Sequence, residues 1–175
     1  DTNISGSVTA LAYGELAVAA GGQEYHVRLD STTSVAYLAE PQLEVKMGSG
    51  ASVLKVGDNV DVVGWRQADG SVRAGTIARN SFLDKGGTVV SVSGRALEVR
   101  IMDSAHSHQY AATATAVRLA TNALDAGSLQ AADPSTLKAG QFIAFQGFIA
   151  NDGSLVISDL DSAAQPPAVA ATPGS

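Results

Sequence analysis

Ser52-Val53-Leu54-Lys55-Val56-Gly57-Asp58-Asn59-Val60-Asp61-Val62-Val63-Gly64, followed by Asp69-Gly70-Ser71, is the stretch that decides the fold. Leu54 to Asp58 forms a turn around a glycine. Val60 and Val62 then point one way on a strand, and Asp69-Gly70 makes a hairpin return in which glycine supplies positive φ. The phrase recurs 83 residues later without a gap, as Ser135-Thr136-Leu137-Lys138-Ala139-Gly140-Gln141-Phe142-Ile143-Ala144-Phe145-Gln146-Gly147 and then Asp152-Gly153-Ser154. The openings match at an offset of 81: Gly6-Ser7-Val8 against Gly87-Thr88-Val89, then Leu16 and Val18 against Leu97 and Val99. A period this long exceeds a solenoid unit and suffices for a small domain with its own core.

Around this phrase, alternation and glycine turns predict short strands. In the first copy they cover 6–12, 15–19, 25–29, 33–38, 59–66 and 71–78, with 40–52 expected to be a loop. In the second they cover 88–92, 96–102, 109–114, 116–120, 141–149 and 154–160, with a short helix admitted between Ala123 and Pro134. No segment has a convincing amphipathic helical period. The expected fold is all-β, with two tandem small OB-like, Greek-key β-barrels arising from an internal duplication. The expected division is residues 1–82, 83–162 and an extended Pro/Ala-rich tail at 163–175. Asn80 to Gly86 is expected to link the barrels.

The pattern G-x-V, a hairpin, L-K-x-G-D-x-V-x-V-x-G and D-G-x-x-x-A-x-x-I resembles an uncharacterised family of exported bacterial small β-barrel domains, often found in tandem. The resemblance covers Ser5 to Asn80 and Gly86 to Ser162, and is best from Leu54 to Ile77. The second copy departs from it at Gln141, where the pattern has Asp, and in the more apolar Val156 to Leu160. The resemblance implies fold and export, and brings no activity or catalytic residues with it.

Composition narrows the function classes. The chain has 175 residues, no cysteine and a net charge of −6. Residues 1–83 carry 6 basic and 9 acidic side chains and the remainder 5 and 8, so each copy stands at −3. Nucleic acid is not expected as a partner, because phosphate neutralisation by clustered Lys and Arg supplies most of that affinity. Without cysteine there are no disulfides, thiolate metal sites or Cys nucleophiles. No apolar run is long enough for a membrane span, so membrane insertion is not expected. The opening Asp1-Thr2-Asn3, without an initiator Met, reads as a mature N-terminus after removal of an export signal, and an extracellular or cell-surface location is expected, the periplasm being admitted.

Three groups of residues carry candidate chemistry. Trp65, the sole tryptophan, stands beside Arg66 at a strand end, and its counterpart in the second copy is Phe148. An aromatic at a barrel rim stacks on sugars, and five-stranded Greek-key barrels bind oligosaccharides, so Trp65 and Arg66 are the ligand-binding candidates. The plainer reading of Trp65 is a plug in the core or between the barrels.

His106 and His108 share a strand face at a two-residue spacing, and with Asp103 they form the one set with metal-ligand character. A polar hairpin tip explains the same residues, and no metal or other cofactor is expected. Laying Tyr25 on Tyr110 puts Gln23 opposite His108, so this set is not a property of the repeat.

The ends form the third group. Thr2, Asn3 and Ile4, and Val169, Ala170, Ala171 and Thr172, have side chains suited to strand addition on a neighbouring subunit's sheet edge. A heterologous contact of that kind need not close, and would polymerise the protein head to tail.

Lys55 and Lys138, and Asp69 and Asp152, recur in both copies and are explained by turn chemistry. With no nucleophile elbow and no phosphate-binding loop, an enzyme is not expected. The expected function is a non-enzymatic extracellular or cell-surface structural subunit that self-associates through its ends. The alternative is a surface module that binds a glycan or small ligand.

Overall fold

The computed structural model describes residues 1–102 and 115–166. The first copy contains Thr2–Ala12 (β1), Glu15–Ala20 (β2), Gln23–Arg28 (β3), Ser34–Ala39 (β4), Glu44–Ser49 (β5), Asn59–Arg66 (β6) and Val72–Arg79 (β7). Antiparallel pairing joins β3, β2, β1, β6 and β7 in that order, and a parallel pairing of β3 with β7 completes the ring. The second copy contains Ser81–Ser93 (β8), Ala96–Met102 (β9), Thr115–Asp125 (β10), Gln130–Ala131 (β11), Phe142–Ile149 (β12) and Leu155–Asp161 (β13). Its ring runs β10, β13, β12, β8, β9 and back to β10, again with the closing pair, β10 with β13, parallel. The protein is all-β, with two closed five-stranded OB-like barrels.

Two compact units divide the chain, one of Asp1–Ser81 with Phe148–Asp152 and one of the remaining described residues. Among the described residues no helix is long and apolar enough to cross a membrane.

The repeated phrase folds the same way twice. Gly57 and Gly140 adopt φ of 94° and 84°, a region where a side chain is strained. The Lys55 amide donates to Asp58 Oδ2 at 2.8 Å, and the Lys138 amide donates to Gln141 Oε1 at 2.9 Å. Gln141 thus supplies the acceptor that the first copy takes from Asp58, which accounts for the departure at that position.

Each glycine then docks on the opening strand. Gly57 N–H donates to the Val8 carbonyl at 2.8 Å and Val8 N–H to the Asp58 carbonyl at 2.9 Å. Gly140 N–H donates to the Val89 carbonyl at 2.7 Å and Val89 N–H to the Gln141 carbonyl at 2.8 Å. Both opening strands bulge one residue later. The register passes from Val8↔Val18 to Ala10↔Ala17, and from Val89↔Val99 to Ser91↔Glu98. The extra residue increases twist and helps curl a small sheet into a ring.

The alternating valines are the core. Val8, Val18, Val27, Val60, Val62, Val72 and Ile77 are all buried in the first barrel. Val89, Val99, Val117, Ile143 and Ile157 take that role in the second. Each such side chain contributes about 1.5–3 kcal/mol by leaving water.

Several expectations need correction. Residues 40–52 are not a loop: β5 pairs with β4 from Glu44↔Ala39 to Ser49↔Ser34, and a 3-10 helix, Ala51–Val53, follows. The second copy's 3-10 helix is Pro134–Thr136, 83 residues on, and its N-cap Asp133 accepts from Ser135 N–H. Asn80 to Gly86 is not a linker throughout, because β8 begins at Ser81.

Tyr25 does not correspond to Tyr110. Leu16↔Val27 and Val18↔Tyr25 in the first barrel match Leu97↔Val117 and Val99↔Thr115 in the second. Seven positions separate Val18 from Tyr25 and sixteen separate Val99 from Thr115, so the second connection is nine residues longer. Asp103, His106, His108 and the strand expected at 109–114 fall in that connection and lie outside the described residues.

The N-terminal segment pairs within the first barrel. Thr2, Asn3 and Ile4 pair with Gly64, Val63 and Val62 of their own barrel, and Ile4 is buried in its core. They form the start of β1, and Ile4 continues the inward-facing series of Val8. Val169, Ala170, Ala171 and Thr172 lie outside the described residues.

Candidate functional site

Parallel pairing of β3 with β7 is short: Val27↔Val72 and Arg28↔Arg73 only. Upstream, Gln23 to His26 remain paired with β2 but face the β6–β7 turn rather than a strand. The ring therefore has a seam, and a groove of about 340 Å³ runs along it. Gln23 to His26 line one wall, with Glu15 and Arg28; Arg66 and Asp69 to Ser71 line the other.

The turn wall is rigidly built. Gln67 N–H donates to the Ser71 carbonyl at 2.8 Å and Gly70 N–H to the Gln67 carbonyl at 3.0 Å. Asp69 Oδ1 accepts from the Ser71 amide at 3.0 Å and from its hydroxyl at 2.7 Å. These Ser71 bonds, with a smaller contribution from Arg28, hold the Asp69 carboxyl below its ordinary value. Arg28 Nη2 lies 2.9 Å from Asp69 Oδ2 and ties the walls together.

Other polar groups in the groove are also engaged. Glu24 accepts from the Thr9 hydroxyl at 3.1 Å, and Tyr25 O–H donates to Gln23 Oε1 at 3.3 Å. His26 Nδ1 lies 3.7 Å from Glu15 Oε1. Arg66 stands over the Tyr25 ring, its guanidinium carbon 5.9 Å from the centroid.

A second groove, of about 420 Å³, adjoins the first by sharing Glu15 and Arg28. It extends past the β1–β2 turn, where Tyr13 is fully exposed, to Asp30, Gln67 and Arg73. Asp30 Oδ1 accepts from the Thr32 amide at 2.8 Å and hydroxyl at 2.5 Å, and Oδ2 from Arg73 Nε at 2.7 Å. The Thr32 hydroxyl first, then Arg73, lower the Asp30 carboxyl to about 2. The same Arg73 guanidinium stands 5.9 Å from the Trp65 ring centroid.

Trp65 is 50% exposed and so does not plug the core; its 83-residue counterpart Phe148 is buried. The indole lies across Gly75, where an added Cβ would come within 2.9 Å of Trp65 Cζ3. Gly75 is the bulged residue of β7, since the register passes from Val63↔Thr76 to Gly64↔Ala74. The sequence-designated pair thus sits at this site but is divided within it. Arg66 lines the first groove, and Trp65 supports the Arg73 that lines the second.

Sequence reading missed Tyr13, Glu15, Tyr25, Arg28, Asp30 and Arg73. A usable signal was subtraction of one copy from the other. Glu15, Arg66 and Arg73 become Ala96, Ile149 and Val156 at the 81- and 83-residue offsets, while Asp69 and Ser71 recur as Asp152 and Ser154. Asp69 and Ser71 recur because they build the turn, whereas Glu15, Arg66 and Arg73 are particular to the first copy and line its grooves. Tyr25 escaped because its true counterpart, Thr115, is displaced by the nine-residue insertion.

Residues 5–78 match a family described as a domain of unknown function, DUF5666. The match includes residues from all five barrel strands and all the groove residues named above. No curated protein matches the chain.

Proposed function

We propose that the first barrel is a non-enzymatic module that binds an extended oligosaccharide across the two adjoining grooves, in a protein displayed outside the cytoplasm. The observation that carries this is the open seam. It presents two grooves beside Tyr13, Tyr25 and the Arg73–Trp65 stack, with Arg, Asp, Glu and Gln side chains between them. Aromatic faces stack on sugar rings, while carboxylates and guanidinia take paired hydrogen bonds from and to vicinal hydroxyls. OB-type barrels bind ligands on the β2–β3 face between the β1–β2 loop and the loop joining the last two strands. Both grooves lie in that position.

Two of the groove carboxyls are unsuited to acid catalysis. A glycoside hydrolase needs one carboxyl raised enough to remain a proton donor. Asp30 and Asp69 are shifted the other way by their hydrogen bonds.

The test is a screen of immobilised oligosaccharides with the full chain, followed by titration in solution. Trp65 is the sole tryptophan and lies against Arg73, so its fluorescence reports on the second groove through that residue. A binding glycan should shift that emission and perturb the amide resonances of Gln23 to Arg28 and Gln67 to Ser71. Absence of binding throughout the screen, or perturbations confined to other surfaces, would refute the proposal.

A further inference from the structure

We infer that the bound sugar chain carries a carboxylate, and that Arg66 is the residue that reads it. The inference rests on the oligosaccharide reading above and asks which glycan the first groove takes. Its basis is a difference in hydrogen-bond satisfaction among the charged groups of that groove. Arg28 is ion-paired with Asp69, and Glu24 accepts from the Thr9 hydroxyl, while Glu15 has His26 Nδ1 at 3.7 Å. Asp69 is further occupied by both donors of Ser71.

Arg66 is the guanidinium of this groove that has no carboxylate partner among the described residues. Its guanidinium stands over the Tyr25 ring, and among the described residues its donors have no acceptor. A guanidinium over an aromatic face keeps its N–H edges free while its plane is held in place. That planar fork matches a carboxylate bidentately, with two parallel charge-assisted hydrogen bonds. The neighbouring Glu24 and Gln23 are placed to meet hydroxyls on the same sugar. One guanidinium with its fork open suits one carboxylate per sugar ring. A dense polyanion would meet Glu15, Glu24 and Asp69, and a chain whose net charge is −6. The second copy has Ile149 in place of Arg66, so the feature belongs to the first barrel.

The experiment compares tetragalacturonate with its carboxyl-reduced, neutral counterpart and with hexaglutamate, by calorimetry on the full chain. Tetragalacturonate should bind at least about tenfold more tightly than the neutral tetrasaccharide, and Arg66→Ala should abolish that difference. Arg66→Lys should recover only part of it, because an ammonium lacks the fork. Raising ionic strength should weaken the acidic sugar and leave the neutral one unchanged. Thermal melts of both variants should lie close to the parent, since the Arg66 side chain is exposed and its strand pairing with Val72 is through the backbone.

Equal binding of both tetrasaccharides, or a preference that survives Arg66→Ala, overturns the inference while leaving the oligosaccharide reading intact. Hexaglutamate binding as tightly as tetragalacturonate overturns it in favour of an acidic peptide. If neither tetrasaccharide binds but the screen finds other sugars, the carboxylate inference alone fails. If no sugar binds at all, both fail.

Discussion

Arg28 and Asp69 hold the first barrel's seam from opposite sides. Arg28 is the last residue of β3, Asp69 lies in the turn between β6 and β7, and Nη2 sits 2.9 Å from Oδ2. In the second barrel Arg118, the counterpart of Arg28, reaches the same turn at a different residue: its Nη2 donates to the hydroxyl of Ser154, the counterpart of Ser71, at 2.7 Å. Both ends of the Arg28–Asp69 pair are about half exposed, so its contribution to global stability is small. Its role is local, fixing the width of the groove. Arg28→Ala should lower Tm by no more than a few degrees. It should nevertheless accelerate amide exchange at Val27 and Arg28 and weaken glycan binding. A variant with unchanged exchange at those two amides would show that the seam is held by other contacts.

Gly57 and Gly140 are equivalent in φ and in their bonds to Val8 and Val89. Replacing either with Ala places a side chain in the left-handed region, at about 1–2 kcal/mol each. Asn, which tolerates that region better, should cost less. Urea denaturation of the four variants measures this directly. A neutral Gly57→Ala would mean that the turn relaxes without losing its dock on β1.

A different pair of glycines should not be equivalent. A Cβ on Gly64 would overlap the Arg73 carbonyl oxygen, whereas on Gly147 it would meet Leu155 Cδ1 at 2.7 Å first and the Val156 carbonyl oxygen only at 3.0 Å. Backbone cannot yield cheaply and a leucine methyl can rotate. Gly64→Ala is expected to reach or exceed the upper end of the about 1–3 kcal/mol typical of overpacking, and Gly147→Ala to fall lower. The order of the two denaturation midpoints decides the matter.

Asp125 provides a pH prediction. Burial by itself would raise its carboxyl, but the Ser162 hydroxyl and amide and the Gly127 amide outweigh that and hold it below its ordinary value. A depressed folded-state value means that the contribution is complete above the unfolded value of 3.8 and is lost as pH falls through the folded one. Asp30, lowered to about 2, has the same sign. Stability should therefore decline as pH drops below about 4, the unfolded-state carboxylate range. Asp125→Asn should be less stable near neutrality, by about 1–3 kcal/mol, with a shallower acid limb. An unaltered acid limb would remove Asp125 from the explanation.

Trp65 supplies its own check. Arg73 covers one part of the indole and Gly75 lies beneath it. Arg73→Ala should increase collisional quenching of Trp65 emission by acrylamide and shift that emission to longer wavelength. No change would mean that Arg73 is not held over the ring in solution.

Sequence alone was enough for the repeated part of the fold. Glycine turns, alternating valines and two constant offsets specify β1, β2, β6 and β7 and their counterparts, because those elements depend on local backbone geometry and one buried face. Both β6, Asn59–Arg66, and β9, Ala96–Met102, have the bounds expected from alternation. β5 was not legible, since Glu44, Val45, Lys46 and Met47 lack alternating burial and owe their extended form to pairing with β4.

Trp65 and Arg66 were identifiable as unusual residues at a strand end, but not as members of two different grooves. That division arises because a ring of five strands closes on only two residue pairs at β3 and β7, leaving Gln23 to His26 opposite the β6–β7 turn. The turn is more than forty residues away along the chain. The sequence by itself determined which residues turn and which face inward, since those properties belong to each short segment. Only the tertiary structure decided which side chains share the seam, because strand closure brings together residues that no local period relates.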